Sequence, residues 1–66
     1  MIRRFKIVGA DGKTFNCATH TLDEAARELL EARERGELLE IRRGSGHALS
    51  PAEAKQIVRR ATEMAL

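Results

Sequence analysis

Apolar and polar residues alternate in two stretches near the start of the chain. In residues 2–8 (IRRFKIV) the alternation centres on Phe5 and Ile7, and in residues 13–18 (KTFNCA) on Phe15 and Cys17. That period of two predicts strands with one face turned to a core. Between them, GADGK carries Asp11-Gly12. Glycine enters the left-handed backbone that a tight reversal needs, so the two strands form a hairpin.

At Thr21 the period changes to that of a helix, and Leu22, Ala25, Ala26, Leu29 and Leu30 fall on one face. Thr21-Leu22-Asp23-Glu24 sets a hydroxyl at the cap and a carboxylate three residues later, which together satisfy free amides at a helix start. The helix extends to about Arg35, and Gly36 ends it. Asp23/Arg27, Arg27/Glu31 and Glu31/Arg35 lie four apart on its polar side, in position for ion pairs.

Residues 38–43 (LLEIRR) predict a third strand with Leu39 and Ile41 turned inward. After the loop GSGH, Ser50-Pro51-Ala52-Glu53 forms a second capping box with proline at the first helical position. The helix it opens reaches the chain end with Ala54, Ile57, Val58, Ala61 and Ala65 inward. A variant reading makes His47–Leu49 a fourth strand, paired back across Gly44-Ser45-Gly46 as a hairpin.

The order ββαβα predicts an α+β two-layer sandwich. A right-handed passage from strand two to strand three gives a three-stranded antiparallel sheet in order 2-1-3, with both helices on one face. The other face carries Arg4, Lys6, Thr14, Asn16, Glu40 and Arg42. With no repeat, low-complexity stretch or linker, residues 1–66 read as one small domain.

Composition narrows what such a fold can do. At 66 residues, roughly 60% of the unfolded chain's surface is buried, which leaves thin stability and little room for a deep cleft. The only aromatics are two phenylalanines, so the core is aliphatic. A single cysteine excludes an internal disulfide, and no signal-like or membrane-spanning run is present, which makes the cytoplasm the expected compartment and a membrane partner unexpected. Twelve basic residues against ten acidic give a net charge of +2, short of the excess of a dedicated nucleic-acid binder, so the placement of charge matters more than its sum.

The basic residues fall in three places. Arg4, Lys6 and Arg42 share the open sheet face, Arg42 and Arg43 precede the loop that holds Ser45 and His47, and Lys55, Arg59 and Arg60 lie on the last helix. Together, Arg4, Lys6, Arg42, Arg43, Lys55, Arg59 and Arg60 form a phosphate-binding footprint only if they converge. The topology sets the open face and the last helix on opposite sides, and the open face has no aromatic stacking platform, since both phenylalanines turn to the core.

For catalysis only Cys17 and His20 are close in sequence, and Cys17 alternates with Phe15 onto the core face. One cysteine and two histidines also lack the spacing of a zinc site. No catalytic residue, metal, cofactor or small-molecule substrate is assigned, and an enzyme is not expected. The expected role is regulation or inhibition of a larger protein, or self-association, through protein-protein contact. The second strand would then offer an exposed edge. The alternative is binding to a nucleic-acid backbone.

The stretch from Thr21 to Ile41, a capped helix followed by Arg35-Gly36-Glu37 and a strand ending in Arg42-Arg43-Gly44, resembles the operator-binding half of Phd/YefM-type antitoxins. That resemblance implies a small DNA-binding regulator. In that family the helix follows almost the first strand, so the N-terminal hairpin departs from the pattern and the function is not carried over. In build, the chain is also similar to phage-encoded inhibitors such as anti-CRISPR proteins.

Overall fold

In a computed structural model, which describes residues 2–66, the hairpin begins the fold. β1 (Arg3–Val8) and β2 (Thr14–Thr19) pair antiparallel, with Phe5 opposite Cys17 and Ile7 opposite Phe15. Their turn closes where the Gly9 amide donates to the Lys13 carbonyl at 2.7 Å and the Gly12 amide to the Gly9 carbonyl at 3.0 Å. Gly12 has φ 83°, which a side chain would strain.

α1 (Leu22–Glu34) follows. The Thr21 hydroxyl accepts from the Glu24 amide at 3.1 Å, and the Glu24 carboxylate reaches back to the His20 amide at 3.0 Å. At the other end Gly36 has φ 70°. Glu37 N–H donates to Ala32 C=O and Gly36 N–H to Arg33 C=O, each at 3.0 Å. This pair of bonds is the Schellman closure, which turns the chain back toward the sheet. β3 (Glu40–Arg43) then pairs antiparallel with β1, so the sheet order is β2-β1-β3. α2 (Pro51–Met64) starts at Ser50, whose hydroxyl accepts from the Glu53 amide at 3.2 Å.

Both helices cover one face of this three-stranded antiparallel sheet, the arrangement the ββαβα order predicts. Phe5 and Ile7 of β1 meet Ala25, Ala26, Leu29 and Ala32 of α1, Ile57 and Ala61 of α2, and Leu49. Phe5, Leu29 and Ile57 are the largest fully buried side chains. Each stabilises the fold by about 1.5–3 kcal/mol relative to an exposed position.

Four residues expected inside lie outside. Phe15 shares the face of Ile7 but stands on the outer strand, where an open groove separates it from α1, and it is 49% exposed. Leu39 is 65% exposed because the chain enters β3 one residue out of phase, and Leu38 packs on the core instead. Val58 is exposed on α2, and Met64 takes the inward position expected of Ala65. Ala32 joins the core in continuation of the Ala25-Leu29 stripe.

The ion pairs also differ from the spacing. Among the described residues none of the three pairs expected along α1 forms. Asp23 meets Arg60 of α2 at 3.1 Å, and Arg35 meets Glu37 at 2.9 Å. α1 packs alongside α2, which brings a second cation within reach, and exposed pairs exchange partners at little cost.

The segment from His47 to Leu49 does not fold back on β3 as a hairpin strand. It runs parallel to β1, with a single bridge between Arg4 and Ala48. The Arg4 amide donates to the His47 carbonyl at 3.4 Å and the Leu49 amide to the Arg4 carbonyl at 3.3 Å. The bend that allows this lies at Gly44, where a Cβ would fall 2.9 Å from both the Arg4 carbonyl carbon and the Phe5 nitrogen. Backbone cannot yield as a flexible side chain can, so glycine is required there.

Candidate functional site

The sheet register sorts the basic residues. Lys6 stands opposite Asn16 on one side and Arg42 on the other, and Arg4 stands opposite Ala18, so Arg4, Lys6 and Arg42 share the open face. Arg42 is paired there with Glu40. Arg43 is opposite Phe5 and belongs to the helix-bearing side. Lys55 and Arg59 are exposed on α2, and Arg60 is held between Asp23 and Glu63, whose hydrogen bonds raise its already high pKa. Because α2 buries Ile57 and Ala61 against the face opposite Arg4 and Lys6, the seven basic residues do not share one surface.

Arg3, which the sequence pattern leaves unremarked, ties the two helix starts together. Its Nη1 donates to the His20 carbonyl at 2.8 Å, and its Nε lies 3.5 Å from Glu53 without hydrogen-bond geometry. This role is architectural.

The outer side of β2 has a different character. Just past β1, the amide of Gly9 turns toward β2, while on β1 the amide of Arg4 and the carbonyls of Arg4 and Val8 bond on the β3 side. Backbone groups alternate along antiparallel strands. Phe15, Cys17 and Thr19 therefore turn their amides and carbonyls to β1, and Thr14, Asn16 and Ala18 turn theirs away from the sheet. Among the described residues no strand covers them. The sequence of this edge, TFNCAT, contains no charged residue.

On the helix side of the edge, a groove of about 370 Å³ runs between β2 and α1, lined by Ile7, Phe15, Cys17, Glu28, Ala32 and Arg35 among others. Glu28 sits at its Cys17–Thr19 end and Arg35 at the Phe15 end. Cys17 is half-buried. Burial pushes its thiol above the usual 9.0, Glu28 adds to that, and Arg35 opposes it. The group is therefore a neutral thiol near pH 7 rather than an activated nucleophile. His20 serves the α1 cap through its backbone, and the buried Thr19 hydroxyl has no partner among the described residues. Among the described residues no three His, Cys, Asp or Glu side chains gather as a metal ion requires, and no helix is long and apolar enough to cross a membrane.

Compared with known proteins, the chain matches no family model, no curated relative and no solved structure.

Sequence alone points to β2 as an edge, but not to Glu28 and Arg35 as its flanks. Both lie on the polar side of α1, and only the packing of α1 across β2 brings them to the groove.

Proposed function

We propose that this chain is a non-enzymatic binding protein, acting as a regulator or inhibitor of a larger protein or by self-association, and that it works through protein-protein contact along β2. One observation carries the reading: an uncharged, unpaired strand edge with the half-exposed Phe15 beside it. Such an edge accepts an added strand through main-chain hydrogen bonds, while the neighbouring groove selects side chains. Thin intrinsic stability makes a partner physically useful. A lone, half-buried thiol suits a reducing, cytoplasmic setting.

Backbone contact with nucleic acid is the competing reading, and the division of the basic residues among separate surfaces counts against it. Fluorescence anisotropy of duplex DNA and single-stranded RNA, read across a salt series, separates the two. No binding at low salt is the expected result. Micromolar binding that weakens steeply with salt would replace this reading with phosphate contact.

A further inference from the structure

We infer that the occupant of the β2 edge is a second copy of this chain, paired antiparallel about a twofold axis through Asn16 to form a continuous six-stranded sheet. The inference rests on the protein-contact reading above and narrows it to one partner.

The register follows from geometry. A twofold axis perpendicular to the sheet keeps each face on its own side, so only residues on the same face meet. Hydrogen bonding further requires that outward-turned residues meet outward-turned ones. Centring on Asn16 satisfies both conditions. Thr14 then lies opposite Ala18 of the second copy, and Asn16 opposite Asn16. Every outward amide and carbonyl of β2 finds a mate.

The same register resolves the helix side of the edge. Phe15 falls opposite Cys17 of the second copy, so the aromatic ring that its own core leaves 49% exposed is covered by a half-buried thiol and the groove around it. The axis exchanges the two ends of the groove, so the Arg35–Glu37 pair at the Phe15 end stands toward Glu28 of the second copy at the Cys17 end, and no two like charges are left facing each other without a cation beside them. A strand edge without charge is also one with no device against self-pairing.

The test is sedimentation equilibrium of the whole chain over a concentration series, with two variants. The wild type is expected to form a dimer. In Asn16→Pro the ring removes an amide that points away from β1, so the monomer fold stays intact by circular dichroism. Two symmetry-related hydrogen bonds of the dimer are lost, and association weakens on the order of tenfold or more. In Phe15→Cys, the new thiol faces Cys17 of the second copy across a non-hydrogen-bonded pair, about 4.5 Å between Cα atoms. That spacing lies within disulfide range. Mild oxidation is expected to give a covalent dimer in this variant but not in the wild type, whose Cys17 residues are offset diagonally. A wild type that stays monomeric at the highest concentration, a dimer indifferent to Asn16→Pro, or a wild type that cross-links as readily as Phe15→Cys would each overturn the inference. A monomer that also ignores DNA and RNA would sink self-pairing while leaving contact with a different protein in place.

Discussion

β2 and β3 occupy equivalent places, each an outer strand flanking β1, yet they meet solvent very differently. β3 has four residues, three of them charged, and ends where the chain bends at Gly44. β2 has six residues and no charge. Short length, charge and an abrupt bend are the devices by which sheets discourage unwanted strand addition. β3 has all three and β2 has none. The same sheet therefore protects one edge and leaves the other available, and the difference is written in side chains rather than in topology.

The largest effect is expected from damage to the bend that shortens β3. Gly44→Val puts a branched side chain where even a Cβ would lie 2.9 Å from the backbone of Arg4 and Phe5. The variant is expected to lose about 2 kcal/mol or more in urea unfolding, because relief requires β3 and the His47–Leu49 segment to leave β1. A loss below about 0.5 kcal/mol, the range of an ordinary surface substitution, would show that the bend is loosely held.

A matched pair of prolines tests the two strands directly. Arg42 stands opposite Lys6, and the alternation along β1 turns its amide into the sheet, whereas the Asn16 amide turns out. Arg42→Pro is expected to cost roughly 3 kcal/mol, and Asn16→Pro about 1 kcal/mol or less when both are measured at concentrations that keep the chain monomeric. Equal losses would mean that the inward and outward assignment of β2 is wrong. A smaller effect is expected from Thr14→Lys, which places a charge on the open face of β2. Monomer stability should change by no more than about 0.5 kcal/mol. Dimer formation should nonetheless weaken, because the lysine gives β2 the guard that β3 already has.

The contrast between the strands was partly legible in the sequence. Alternation around Phe5 and Ile7, the Asp11-Gly12 reversal and the two capping boxes carry local information, and each element formed where that information placed it. The residues that departed are those whose environment depends on distant parts of the chain. Phe15 reads as core because its period is right, but burial needs close cover, and the packing of α1 on the sheet leaves an open groove beside this end of β2. Leu39 and Leu38 differ only in phase, which the Schellman turn at Gly36 sets. Asp23 reads as a partner of Arg27 until α2 brings Arg60 beside it. The seven basic residues were legible individually. Their separation onto different surfaces followed from the sheet register, and for Arg43 that meant the side opposite Arg42.

The finest probe of the β2 edge is the pH dependence set by Cys17. Burial, then Glu28, raises the thiol pKa above 9.0 in the folded chain, with Arg35 acting in the other direction. The unfolded chain thus gives up the proton first as pH rises, and from that point the unfolded state binds fewer protons than the folded one. Stability from this group is complete below 9.0 and falls as pH climbs through the raised folded value. Urea midpoints measured from pH 8 to 10.5 should decline in the wild type and decline less in Cys17→Ala, while Glu28→Gln should lessen the slope and Arg35→Gln steepen it. The part of the slope that Cys17→Ala removes therefore reports on β2. A second copy over the groove would remove more water from Cys17, so the wild-type decline should steepen as protein concentration rises. An identical slope at low and high concentration would place Cys17 outside any self-interface.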